Sequence, residues 1–154
     1  NVVTLREEIH MVRSYMDIQQ IRYAEIYTVY DVDDTVCDVE IPKLVLQPLV
    51  ENALYHGIRP NGNKGTIELK VWGDASLIYV QVADDGVGID PEMVKRVFDT
   101  AGNPMDRFGL QGTIDRLRLF YRQDHVLSIE YGVTCGTRMT ILIPRNSVTG
   151  RLNA

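Results

Sequence analysis

The sequence predicts an α+β two-layer sandwich, in which a mixed, mostly antiparallel sheet carries helices on one face. Two observations carry that expectation. Runs 66–72 and 76–83, rich in apolar and β-branched residues, flank Gly73-Asp74, and runs 126–131 and 138–143 flank a segment holding Gly132 and Gly136, so two hairpins are expected. Stretches with helical periodicity precede and separate them. A dinucleotide-type parallel sheet is excluded, because no glycine-rich turn joins a strand to a helix in G-x-G-x-x-G order.

Along the chain, Thr4-Leu5-Arg6-Glu7 has the form of a capping box, and Leu5, Ile9, Val12 and Met16 recur at helical spacing, which predicts a one-sided helix over 4–23. That stripe is either ordinary core, the preferred reading, or a seam for another helix. Residues 25–32 read as a strand. The acidic turn Asp31-Val32-Asp33-Asp34 after it lacks the central glycine and closing glutamate of a calcium loop and reads as a solvated turn. Pro42 and Pro48 divide 41–57 into two helical pieces, the second opening at Pro48 and stopped by Gly57. A polar loop over 59–65 leads into the first hairpin. Asp90-Pro91-Glu92 caps a short helix to about residue 98, and a loop over 100–108 contains Gly102 and Pro104. A last helix runs from Gly109 to about residue 121, and 146–154 is a polar tail.

The 154 residues are 45% hydrophobic and 24% charged, which suits one globular domain. Such a chain buries roughly 70% of its unfolded surface and holds a core without cross-links. Cys37 and Cys135 match no metal-ligand spacing and read as reduced thiols. The longest apolar run, Leu77-Ile78-Tyr79-Val80, falls far short of the ~20 residues of a membrane span, and no signal peptide is expected at the start. With 21 acidic against 16 basic residues the net charge is -5, so no nucleic-acid partner is expected.

Three segments carry the chemistry. In Leu49-Val50-Glu51-Asn52-Ala53-Leu54-Tyr55-His56-Gly57 a carboxylate and an amide project near each other from a helix, and an amide oxygen is a suitable hard ligand for Mg²⁺. Alone, Glu51-Asn52 also fits a solvated helix face. Asp84-Asp85-Gly86-Val87-Gly88-Ile89 follows a strand: the glycines permit a sharp turn and close approach to a flat ligand, and a carboxylate at the strand end accepts from an exocyclic amine such as adenine's. Alone it fits a surface turn equally well. Gly109-Leu110-Gln111-Gly112 opens a helix whose unpaired amides and partial positive charge suit a phosphate chain. Alone it fits a capped helix after a mobile loop.

In this order the three segments resemble the N, G1 and G2 boxes of the GHKL ATP-binding superfamily, which includes sensor histidine kinases, gyrase B-type topoisomerases, MutL-type proteins and heat-shock chaperone ATPases. The likeness is narrower still to sensor histidine kinases of the LytS/YesM type. It is carried by Ile41-Pro42-Lys43-Leu44-Val45-Leu46-Gln47-Pro48-Leu49-Val50-Glu51-Asn52-Ala53 and, upstream, by Tyr15-Met16-Asp17-Ile18-Gln19-Gln20-Ile21-Arg22-Tyr23. Gly112-Thr113-Ile114-Asp115-Arg116-Leu117-Arg118-Leu119-Phe120-Tyr121 and the ending Gly136-Thr137-Arg138-Met139-Thr140-Ile141-Leu142-Ile143-Pro144 extend it over nearly the whole chain.

The resemblance implies a Bergerat-type GHKL sandwich with ATP held between the helical face of the sheet and a lid over 100–108. It implies that Asn52 coordinates Mg²⁺, Asp84 reads the adenine amine with Thr137 supporting it, Gly86 and Gly88 shape the nucleotide floor, and Gly109 and Leu110 meet the phosphates. Glu51 stands where the family has its N-box acid, which activates water in the ATP-hydrolysing relatives. His56 fits the box pattern and reads as structural.

Three departures stand out. Tyr55 occupies a position that is usually basic in the family, so a cationic partner for phosphate is missing there. Arg107-Phe108-Gly109-Leu110 lacks the first glycine of the usual G-x-G-L; Arg107 either obstructs closure of the lid or provides the phosphate-binding charge that Tyr55 does not, and the productive contact is the expectation. The family's phosphoaccepting histidine lies in a P-H-F-L-F-N-like segment that is absent here, and His10 and His125 have the wrong neighbours, so the chain reads as a catalytic fragment.

The expected organisation is therefore the end of a dimerisation and phosphoacceptor region over 1–23, a GHKL ATP-binding domain over 24–145 and a tail over 146–154. The expected function is transfer of the ATP γ-phosphoryl group to a histidine upstream, for relay to a response regulator. ATP, ADP, the dimerisation helices, a response regulator and a second copy in the full-length homodimer are the implied partners. The implied location is the cytoplasmic side of a membrane-anchored sensor. The alternative is a degenerate GHKL module that binds nucleotide weakly or not at all and acts through protein contacts.

Overall fold

The computed structural model describes residues 1–99, 109–131 and 136–145. The capping box forms as the sequence predicts: the Thr4 amide donates to the Glu7 carboxylate at 2.7 Å, and the Thr4 hydroxyl accepts from the Glu7 amide at 3.2 Å. It starts α1 (Leu5–Arg22). Leu5, Ile9, Val12 and Met16 are all buried in the chain's own core, so the seam alternative does not hold for that stripe. Met11, Ile18 and Ile21, on the opposite side of the helix, are exposed.

Five strands build the main sheet: β2 (Ile26–Val32), β4 (Gly65–Gly73), β5 (Leu77–Asp84), β6 (Leu127–Tyr131) and β7 (Thr137–Pro144). Their order is β2-β4-β5-β7-β6. All neighbours are antiparallel except β2 and β4, which run parallel. A parallel pair needs a long crossover, and here residues 33–64 supply it and lay a helix across the sheet. Alternation then sets the two faces. Ile67, Leu69, Val71, Ile78, Val80, Val82, Met139, Ile141 and Ile143 are buried toward the helices. Leu49, Leu54, Ile58, Ile114 and Leu117 meet them from the helical layer, each contributing about 1.5–3 kcal/mol by leaving water. The molecule is thus the α+β two-layer sandwich expected, with a mixed, mostly antiparallel sheet and helices on one face.

Residues 41–57 differ from expectation. Ile41 and Pro42 belong to β3 (Glu40–Pro42), which pairs antiparallel with β1 (Val2–Thr4) in a separate two-stranded sheet. Residues 43–46 form a turn with Leu44 at φ 61°. The carboxylate of Glu8, buried on α1, accepts from the amides of Leu44, Val45 and Leu46 at 2.8, 3.3 and 3.2 Å. Arg116 donates to the carbonyls of Lys43 and Leu44 at 2.8 and 2.6 Å. Strand pairing and these two side chains satisfy backbone groups that a first helical piece would have paired within itself, and no such piece forms.

The second piece is α2 (Gln47–Asn52), with Pro48 in its first turn as expected. Gly57 does not stop it. The helix continues as a turn of π-helix over Ala53–Ile58 and a 3₁₀ turn over Arg59–Asn61, and Gly62 at φ 75° ends it. Asp90 caps α3 (Pro91–Phe98), and α4 (Leu110–Tyr121) follows Gly109. The expected lid over 100–108 with Arg107, the turn around Gly132, Cys135 and the tail 146–154 lie outside the described residues. Among the described residues, no helix is long and apolar enough to cross a membrane.

Candidate functional site

The helical layer leaves a cleft of about 430 Å³ between α2 and its π-helical extension on one side and α3 and the start of α4 on the other. Burial of Leu49 and Val50 fixes the rotation of α2, and this turns Glu51, Asn52, Tyr55 and His56 toward the cleft. Glu51 accepts from the Gln47 side-chain amide at 3.0 Å, one turn away. Asn52 sits over β7, its Nδ2 only 3.9 Å from the Met139 sulfur. No described residue donates a hydrogen bond to Asn52 Oδ1, so an amide oxygen beside a carboxylate is available to a hard cation, and this donor set fits Mg²⁺.

Across the cleft stand Gly109, Leu110 and Gln111. Gly109 takes φ 63° and ψ -125°, a conformation that a side chain disfavours, and a Cβ there would meet nothing within 4 Å. Among the described residues no side chain caps α4, and the first turn of the helix borders the cleft with the positive end of its dipole.

Asp84 lies outside that lining, at the end of β5. Its Oδ1 accepts from the Gly86 amide at 2.9 Å. Burial pushes its carboxyl up to about 6, with the charge of Asp85 adding to the rise and the Gly86 amide opposing it. Three glycines admit this arrangement. A Cβ on Gly57 would sit 2.4 Å from Asp84 Oδ1, one on Gly86 would sit 2.1 Å from the Gly57 carbonyl oxygen, and one on Gly136 would sit 2.1 Å from the Asp84 carbonyl oxygen. Gly88, at φ 88°, turns the chain away from the strand. Thr137, buried on β7, is the register partner of Asp84. Asp85 points elsewhere and accepts from the Thr66 amide at 2.7 Å.

One segment therefore serves both places. Asn52 and Glu51 border the cleft, while Gly57, five residues beyond Asn52, packs on Asp84. A partly desolvated acceptor at one end and a helix N-terminus facing hard oxygen ligands at the other suit an elongated ligand with an amine-bearing ring and a polyphosphate chain. Of the residues read from sequence, Glu51, Asn52, Gly109 and Leu110 meet in the cleft, and Asp84, Gly86, Gly88 and Thr137 gather around the strand end. Arg107 is outside the described residues.

His56 is exposed on the cleft wall. Met93 and Arg96 also line the cleft and were not singled out by sequence. Their side chains recur at ordinary helical spacing, and only the docking of α3 against α4 turns them inward. Tyr55 is exposed, with the Arg59 guanidinium stacked 4.8 Å from its ring centroid. Behind it, burial raises the Tyr15 phenol above its ordinary value, and nearby Tyr55 and Glu51 add to that rise.

The fold is a two-layer sandwich of the Bergerat class. Residues 37–147 match the family described as histidine kinase-, DNA gyrase B- and HSP90-like ATPases, and the chain belongs to that family. It is 34% identical over 144 residues to the sensor histidine kinase YpdA of Escherichia coli, covering 92% of this chain and 24% of that protein. It is 34% identical over 150 residues to the sensor histidine kinase YesM of Bacillus subtilis, covering 96% and 25%. The chain thus spans about a quarter of the length of these curated relatives. Among solved structures, the nucleotide-free catalytic domain of histidine kinase ThkA superposes with a TM-score of 0.67 at 19% identity, covering 94% of this chain and 95% of that one. ThkA in complex with the response regulator protein TrrA superposes with a TM-score of 0.67 at 22% identity, covering 96% and 42%.

Proposed function

We propose that this chain is the ATP-binding catalytic domain of a two-component sensor histidine kinase. The observation that carries the reading is the pairing of Asn52 and Glu51 with the N-terminal turn of α4 across one cleft, with the partly buried Asp84 packed on Gly57 at the far end of the same helical segment. Likeness to sensor histidine kinases over more than nine-tenths of the chain supports it.

In this reading Asp84 accepts from the adenine amine, Thr137 supports it, and Gly86 and Gly88 keep the floor open for the ring. Gly109 and Leu110 present their amides to the phosphates, Arg107 adds a guanidinium, and Asn52 holds Mg²⁺ through Oδ1. The metal, when bound, neutralises charge on the phosphate oxygens. Glu51, in the position of the family's N-box acid, is the proposed catalytic residue, orienting the phosphoryl acceptor or taking its proton. Transfer is then mostly a matter of position, with the acceptor histidine brought in line by a helix upstream.

Residues 1–23 are proposed as the end of the dimerisation and phosphoacceptor region and 24–145 as the ATP-binding domain. The inward stripe of α1 joins the two, and Met11, Ile18 and Ile21 are left for helices of that region in a homodimer. A response regulator receives the phosphoryl group. The domain works on the cytoplasmic side of a membrane-anchored sensor.

Titration with ATP and ADP, with and without Mg²⁺ and read by thermal shift, tests the nucleotide half. Stabilisation of about 2.7 kcal/mol is expected at about a hundredfold excess over Kd. No shift at millimolar nucleotide would instead identify a degenerate module acting through protein contacts. γ-Labelled ATP tests the transfer half. This chain alone stays nearly unlabelled, and a longer chain carrying the upstream helix gains acid-labile, base-stable label on histidine. Label on His10, His56 or His125 of the short chain contradicts the proposal.

A further inference from the structure

The two walls of the cleft differ in chemistry. The α2 wall offers acceptors, the Glu51 carboxylate and the Asn52 amide oxygen, which suit a metal ion. The opposite wall offers donors, and one of them is a full charge. Arg96 lies on α3 with Met93 and Val97, the three spaced i, i+3 and i+4 on the face that lines the cleft. Among the described lining residues it is the only lysine or arginine. Among the described residues it forms no ion pair, whereas its neighbour Lys95 pairs with Glu92 at 3.5 Å. The side-chain amide of Gln111 donates to the Arg96 backbone carbonyl, which ties the last turn of α3 to the first turn of α4. That bond holds Arg96 and the first turn of α4 on the same wall of the cleft.

Charge balance demands such a group. ATP carries about four negative charges at neutral pH and retains about two with one Mg²⁺ bound. Glu51 adds another negative charge to the same cleft, and Tyr55 brings none to offset it. We infer that Arg96 is a binding residue for the terminal phosphates of the nucleotide, closing on them from α3 while Asn52 and the metal hold them from α2. A guanidinium suits this place because it stays charged and grips two phosphate oxygens at once. The inference rests on the nucleotide-binding reading above and adds to it a residue from a third element.

Arg96→Ala and Arg96→Lys in this chain, titrated with ATP, ADP and adenosine by calorimetry, test it. Arg96 is exposed, so neither variant disturbs the core. Arg96→Ala is expected to weaken ATP at least tenfold and ADP less, to leave adenosine within twofold, and Arg96→Lys to recover part of the loss. Equal loss for adenosine and ATP, or no loss for either, overturns the role of Arg96 while leaving the nucleotide reading in place. An unmutated chain that binds none of the three overturns both.

Discussion

Asp84→Asn separates the stability of the site from its use. The folded protein raises this carboxyl from its ordinary 3.8 to about 6, chiefly by burial. A carboxyl raised on folding contributes stability that is fully present below about pH 3.8 and is lost as pH climbs through about 6. At about 1.4 kcal/mol per pH unit the shift corresponds to at most about 3 kcal/mol, and because the carboxyl is only partly buried, solvent screening reduces the cost of ionised Asp84 to about 1–2 kcal/mol above that window. An asparagine cannot ionise, and its oxygen can still accept from the Gly86 amide, so the variant escapes this cost.

Urea unfolding of both proteins between about pH 4 and about pH 8 measures the effect, and every other group titrates in both, so the difference isolates Asp84. The variant is expected to gain on the wild type by about 1–2 kcal/mol across that range. The same change places a donor where the adenine amine needs an acceptor, and adenine nucleotides are expected to bind about 1–3 kcal/mol more weakly. Parallel stability curves would refute the burial argument. Equal binding of ATP and GTP by the unmutated chain would refute the role assigned to Asp84.

Three further outcomes follow from the contacts around the site. Gly86→Ala forces a Cβ to within 2.1 Å of the Gly57 carbonyl oxygen, backbone against backbone, and is expected to cost about 3 kcal/mol in urea; a loss under about 0.5 kcal/mol contradicts the close approach. Glu8→Ala strips the amides of Leu44, Val45 and Leu46 of their shared acceptor and is expected to cost about 3–5 kcal/mol, with a loss under about 1 kcal/mol showing that water replaces it. Asn52→Ala is expected to abolish the gain in ATP affinity on adding Mg²⁺ while leaving binding in chelator unchanged; a retained Mg²⁺ effect places the metal on other ligands.

What could be read without coordinates was whatever depends on neighbours in sequence. The capping box at Thr4, the Asp90-Pro91 cap, the Gly73-Asp74 hairpin and the start of α2 at Pro48 each set a local conformation with residues a few places apart, and each appears where expected. The order of the three boxes was legible for the same reason, since each box is a short local pattern whose backbone geometry its own residues impose.

The errors arose where distant residues decide. Ile41-Pro42 has the look of a helix start, but Val2 and Val3 offer a strand partner, and Glu8 and Arg116 hold the turn that follows. Gly57 resembles a helix stop, yet it is glycine because Asp84, far along the chain, occupies the space of its Cβ. The Leu5 to Met16 stripe leaves open whether it faces its own sheet or another helix, because periodicity marks an apolar face without naming what covers it. Arg96 carries no signal in the sequence, and only the packing of α3 on α4 brings it to the cleft opposite Asn52. Local propensities and caps are settled within a few residues of backbone, whereas the site is made by contacts across the fold, whose partners the linear order does not place together.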